Sequence, residues 1–326
     1  MKTTRFGLTA LAAGFALGLA PLAATADDLL PPDGLAPIVG MAYDGEALWL
    51  AGASANDGVV VNQSKDYQVT FGGRPTSVQA LAWSEGRLWI ADIGDQTATR
   101  DYVVAFRLGS TEPGRTQYNA FDFRYEDGPR DAKAFLISGR GRIYVVSAGE
   151  NPGIYRAPLS PSRQAVNTLE RVADAPAGVT DGAFLADGST MALRTATGIE
   201  YVNAFTWDTV VTDTIEGGPD GESITQGPAG DIYVGGNPAI RTTVQPSSDV
   251  TTTVSPAPTE PSTSPSPDPS SSPSGSSTPT AGGTAAPVDE PADDGAGPSR
   301  SGTIIALVLA GMLALGAGAA AFLIRR

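Results

Sequence analysis

Apolar positions along this chain do not fall at helical spacing. They come in short runs broken by turns that carry Gly or Asp, and the runs come in pairs. Five pairs are legible. The first is Ile38–Tyr43, the turn Asp44-Gly45-Glu46, then Ala47–Ala51. The second is Val78–Trp83, Ser84-Glu85-Gly86, then Arg87–Ala91. The third is Ala132–Ile137, a turn through Gly139 and Gly141, then Arg142–Val146. The fourth is Asp181–Leu185, Asp187-Gly188, then Met191–Arg194. The fifth is Glu222–Thr225, Pro228 to Gly230, then Asp231–Gly235. Further strand-like runs follow the first four pairs: Val59–Val61, Tyr102–Phe106, Ile154–Ala157 and Tyr201–Val202.

The second member of each pair recurs roughly every 40 to 55 residues, the scale of one four-stranded propeller blade. The pattern therefore predicts an all-β fold, a β-propeller of five or six blades over residues 30–244. A sandwich also has short strands between turns, but it gives no reason for self-similarity at this period. A sixth blade would come from Thr111–Tyr125 or from the two chain ends. Pairing one chain end with the other would remove the free edges.

The flanks read differently. Residues 1–26 are an export signal: Lys2 and Arg5, an apolar run from Phe6 to Leu22, and a small-residue cleavage site at Ala24-Thr25-Ala26. Residues 245–302 collapse to Pro, Ser, Thr, Gly and Ala, with too little apolar surface to offset ordering entropy. They are expected to form a disordered, extended stalk. Residues 303–324 are uncharged and apolar, long enough for one transmembrane helix, and Arg325-Arg326 would hold a cytoplasmic tail inside. The expectation is a single-pass cell-membrane protein with its propeller outside.

Composition narrows the chemistry. There is no Cys and no His, so thiolate nucleophiles, disulfides, Cys/His zinc sites and imidazole bases are excluded. A formal net charge of −14 argues against nucleic acid as a partner. Candidate binding residues are Asp92, Asp95 and Arg100 after the second pair, Asp127, Arg130, Asp131 and Lys133 leading into the third, Asp181 and Arg194 in the fourth, and Glu222 opening the fifth. Carboxylates at the starts of several inner strands would gather around one axis. Such a group repels itself unless a cation sits among it. Asp95, Asp131, Asp181 and Glu222 are therefore the candidate ligands for Ca²⁺, which takes oxygen donors alone. The same residues also fit a structural role. Asp92 and Asp95 with Gly94 can cap a tight turn, and Arg100, Arg130 and Arg194 can pair with the acids to tie blades together.

At these residues the chain resembles a family of actinobacterial exported or membrane-anchored β-propeller proteins of undefined activity. The resemblance rests on Asp92-Ile93-Gly94-Asp95-Gln96 with Arg100, on Glu126-Asp127-Gly128-Pro129-Arg130-Asp131-Ala132-Lys133-Ala134, on Thr180-Asp181-Gly182-Ala183-Phe184, and on Gly221-Glu222-Ser223-Ile224. More distantly it is similar to phytase-like and esterase-like propellers, whose acidic channels bind calcium and phosphate esters. It departs from the pattern at Gln96, where Asn is usual, and at Lys133, where Glu is usual. A cation at Lys133 stands where the resemblance implies a ligand carboxylate. The expected function is display: binding of a small-molecule ligand or an envelope protein partner, with no catalytic residue assigned. The alternatives are calcium-assisted hydrolysis of phosphate or carboxylic esters and a scaffold without a ligand.

Overall fold

The structure, a computed structural model, describes residues 28–219 and 221–254. The predicted signal, membrane helix and tail, and the stalk beyond Val254, lie outside the described residues. Among those described, no helix is long and apolar enough to cross a membrane. Strands and turns make up nearly all of the fold, with two short 3-10 turns.

Blade one is β1 (Gly40–Tyr43), β2 (Leu48–Ala51), β3 (Val59–Asn62) and β4 (Tyr67–Phe71), each antiparallel to the next. Blade two holds β5 (Val78–Ser84), β6 (Arg87–Asp92) and β7 (Val103–Leu108). After the short β8 (Gly114–Thr116), β9 (Tyr118–Tyr125) pairs with β7 as its fourth strand. Blade three is β10 (Ala132–Ile137), β11 (Ile143–Ser147), β12 (Gly153–Arg156) and β13 (Asn167–Asp174). Blade four is β14 (Val179–Phe184), β15 (Thr190–Thr195), β16 (Gly198–Asn203) and β17 (Thr209–Glu216). Blade five has β18 (Ser223–Gln226), β19 (Asp231–Gly235) and β20 (Ile240–Val244). The first strands β1, β5, β10, β14 and β18 pack in cyclic order, and β18 returns to β1. Among the described residues five blades thus close a ring.

Why the second strands read as unbroken apolar runs is now plain. Alternate side chains of a strand enter different blade interfaces, so both faces are buried. Leu48 and Leu50 of β2 pack between blades one and five, while Trp49 and Ala51 pack between blades one and two. In β6, Leu88 and Ile90 face blade one, and Trp89 and Ala91 face blade three. Five apolar clusters result, one per interface.

The fourth strands β4, β13 and β17 were not foreseen. They lie at the rim with one face exposed, so their sequences mix polar and apolar residues, as in Tyr67-Gln68-Val69-Thr70-Phe71. Their outer edges are covered. β8 pairs parallel with β4, and β13 pairs parallel with β9 of the neighbouring blade. The segment considered for a sixth blade, Thr111–Tyr125, supplies β8 and β9. Ring closure ties the segment before β1 to blade five: Leu29 pairs with Ile240, and Ser223 Oγ donates to Ile38 O at 3.0 Å. The folded chain runs past residue 244. β21 (Val250–Thr253) pairs parallel with β17 inside the span expected to begin the stalk.

Candidate functional site

The ring has two faces. Each first strand starts on one and ends at a hairpin turn on the other. All ten expected site residues lie toward the strand-start face, and nearly all are taken up by one another.

Arg100 closes the loop after β6. Its Nη1 and Nη2 reach Asp92 Oδ1 and Oδ2 at 3.0 and 2.9 Å, and Nη1 also donates to Gly94 O at 2.9 Å. Its own backbone N–H donates to Asp95 Oδ2 at 2.8 Å. Asp92 Oδ1 also accepts the Ser77 amide at 2.7 Å, holding the entry to β5. Gly94 sits so tightly that a Cβ there would collide with Ser77 Oγ. The loop then reaches across to blade three, where the Asp95 amide donates to Asp131 Oδ1 at 2.7 Å. Lys133 Nζ stands 3.4 Å from Asp131 Oδ2 and donates to Gln79 Oε1 at 3.0 Å, so the lysine also spans blades two and three. Beside this network the buried Tyr125 hydroxyl has no hydrogen-bond partner among the described residues. Burial, with the nearby Tyr155 and Asp131, raises its pKa.

Asp127 makes a bidentate pair with Arg130, at 3.1 and 2.6 Å, and accepts from the Tyr155 hydroxyl at 2.9 Å. Burial pushes the Asp127 carboxyl up, but the hydrogen bonds from Arg130 and Tyr155 outweigh it and hold the carboxyl below its ordinary range. Between blades four and five, Glu222 is sealed in with two arginines. Arg194 Nη2 and Nε reach Glu222 Oε2 at 2.6 and 3.0 Å, and Arg241 Nη2 reaches Oε1 and Oε2 at 2.9 Å. Arg194 also donates to the Thr195 and Gly198 carbonyls. Asp181 lies deeper. Its two oxygens accept the amides of Gly182 and Ile224, at 2.8 and 3.1 Å, and burial raises its carboxyl well above the usual range despite those bonds.

The expected calcium ligands Asp95, Asp131, Asp181 and Glu222 are not brought together as one group. Asp95 and Asp131 touch between blades two and three, whereas Asp181 and Glu222 lie between blades four and five. Among the described residues no three acidic side chains are placed to hold a metal ion. Their charges are met by Arg100, Lys133, Arg194 and Arg241 and by backbone amides, so this donor set does not fit Ca²⁺.

Open space lies at the hairpin-turn face. A cleft of about 640 Å³ between blades three and four is lined by Arg140, Arg142, Tyr144, Arg156 and Trp207 among others. A second, of about 620 Å³ between blades two and three, is lined by Trp89, Arg107, Phe121, Arg140 and Arg163 among others. The mouth of the central channel, about 440 Å³, is ringed by all five first strands through residues such as Tyr43, Leu81, Phe135, Phe184 and Thr225. None of the cleft arginines was among the expected site residues; Arg140 and Arg142 lie in and directly after the third turn.

No family model matches the chain, and no curated protein matches it. Solved structures it is similar to are β-propeller proteins. A streptogramin B lyase is 12% identical, covering 68% of this chain and 72% of its own, with a TM-score of 0.40. A gluconolactonase of Xanthomonas campestris is 13% identical, covering 63% and 71%, with a TM-score of 0.39. Virginiamycin B lyase of Staphylococcus aureus is 12% identical, covering 64% and 70%, with a TM-score of 0.38. Their activities do not transfer to this chain.

Proposed function

We propose that this protein is a non-catalytic propeller of the cell surface that binds a ligand or an envelope partner through its hairpin-turn face. One contrast carries the reading. On the strand-start face the acids and bases are largely spent on each other, whereas on the opposite face the open clefts carry Arg107, Arg140 and Arg163, which form no salt bridge among the described residues. Among the described residues Arg140 and Arg163 have neither a carboxylate nor a hydrogen-bond acceptor. The export signal, stalk and membrane segment read in the sequence agree with display. Calcium-assisted ester hydrolysis needs several carboxylates around one ion, and the acids here are divided between two interfaces.

A photoreactive phenylalanine derivative replacing Phe205, 68% exposed beside the cleft of blades three and four, tests the assignment in the full chain in its own envelope. The same substitution at Tyr102, exposed on the strand-start face, is the comparison. Adducts from position 205 and none from 102 are expected. Adducts from 102 alone, or turnover of phosphate or carboxylic esters by the purified chain, would overturn the reading.

A further inference from the structure

The two clefts invert the charge of the chain. Acidic residues outnumber basic ones overall, 35 to 21. Yet five arginines line the clefts, Arg107, Arg140, Arg142, Arg156 and Arg163, against two carboxylates, Glu85 and Asp187. Asp187 is already occupied, since it accepts the Ser189 and Thr190 amides at 2.8 Å and the Thr190 hydroxyl at 2.6 Å. Arg156 is offset by Glu170 at 2.8 Å, and Arg142 donates to Ala157 O at 3.2 Å. Arg107, Arg140 and Arg163 form no ion pair with a carboxylate among the described residues, and Glu85 is the one acid lining their cleft. Arg140 and Leu159 line both clefts, so the two adjoin at blade three.

Trp89 and Phe121 are buried with Arg107 over their faces, so the rings open to a ligand include Phe205 and the half-buried Tyr144 and Trp207 of the cleft between blades three and four. The Arg107 guanidinium lies over Trp89 and Phe121, 5.5 and 5.4 Å from the ring centres. Stacking holds that cation in place and leaves its N–H donors unspent. Trp207 packs against Tyr144, ring centres 6.0 Å apart, and its backbone sits at φ 67°, in the left-handed region that a bulky residue rarely adopts. Phe205 beside it is exposed.

Planar rings beside fork-shaped cations suit sugar rings whose flat faces stack while their carboxylates meet guanidinium groups. We infer that these adjoining clefts bind an acidic polysaccharide bearing a carboxylate on successive sugars. The inference rests on the binding-module reading above and names its ligand class. Single-stranded nucleic acid carries charge of the same sign and also stacks on aromatic rings, so it is the competing occupant that the test separates.

The test is native affinity electrophoresis of the full chain in mild detergent, in gels containing polygalacturonate, neutral dextran or single-stranded DNA. Retardation by polygalacturonate alone is expected, falling as salt rises. Arg140→Ala and Arg107→Ala should each weaken it by about 10-fold or more. Arg74→Ala, exposed on the opposite face, should leave it unchanged. Arg140 is exposed, so its variant should keep the parent unfolding midpoint. Retardation by DNA or dextran instead, equal retardation of Arg140→Ala, or no retardation would overturn the inference. If polygalacturonate fails while position 205 still yields an envelope adduct, the glycan falls and the binding face stands. If both are blank, both fall.

Discussion

Glu222 is where the fold has most to lose from a single side chain. It is 1% exposed and Arg194 is 1% exposed, so removal of the carboxylate strands a buried guanidinium. Four hydrogen bonds at 2.6–3.0 Å would go at once. Breaking a buried pair by deleting one partner costs about 3–5 kcal/mol. Arg194 keeps bonds to the Thr195 and Gly198 carbonyls, which places Glu222→Ala toward the middle of that range, about 4 kcal/mol. For a domain of this size each kcal/mol moves the thermal midpoint by roughly 2–4 °C, so a drop of about 8–16 °C is expected. Glu170→Ala is the internal control. Arg156 and Glu170 meet at 2.8 Å, as close as the buried contacts, but their side chains are 36% and 57% exposed. Solvent screening limits that pair to under about 1 kcal/mol. Urea and thermal unfolding of both variants measure the contrast. Equal losses, or a loss below about 1 kcal/mol for Glu222→Ala, would refute the view that the sealed pairs hold blade four to blade five. Replacing Glu222 and both arginines by apolar residues of similar volume should recover much of the loss, since the pair's own desolvation cost disappears with it.

Two further expectations concern neighbouring groups. Burial raises the Asp181 carboxyl, so the folded state holds its proton more tightly than the unfolded chain does. Its contribution is therefore fully present below about pH 4 and is lost as pH climbs toward the folded value, with a slope of about 1.4 kcal/mol per pH unit. Urea midpoints followed upward from pH 4 should show this slope in the parent and lose it in Asp181→Asn; parallel curves would contradict it. Arg100→Lys should exchange a bidentate clasp for a point contact and speed hydrogen exchange at the Asp95 and Arg100 amides by at least about 10-fold. Unchanged exchange there would show that the loop does not depend on the guanidinium.

The parts of the fold visible in the sequence were those buried on both faces. β2, β6, β11, β15 and β19 announce themselves because most of their residues are buried against one interface or the other, and their hairpin partners follow at fixed distance. Rim strands such as β17 hid because Thr209-Val210-Val211-Thr212-Asp213 serves solvent on one side. Asp92, Asp95, Asp131 and Glu222 stood out by residue type and by position at strand starts, yet type alone does not distinguish a ligand from an ion-pair partner. That choice depends on which cations other blades deliver, and Arg241, one of Glu222's two partners, carried no sequence signal at all. The clefts at the other face were invisible for a different reason. Arg107, Arg140 and Arg163 belong to separate segments, and the ring closure that makes them neighbours is a long-range property.

The parallel pairing of β21 with β17 fixes more than a boundary. β17 runs from the hairpin-turn face to the strand-start face, so β21 does too, and Val254 leaves on the face away from the clefts, its amide bonded to Glu216 O at 2.8 Å. A pull on the chain beyond Val254 therefore acts along the strand and not across it. The pairs from Asp213–Val250 to Glu216–Thr253 bear the load together, in shear, instead of opening one after another like a zip. Were the chain to leave from the other end of the same strand, equal tension would peel β21 away. The direction of four residues thus makes the last strand a clamp against traction.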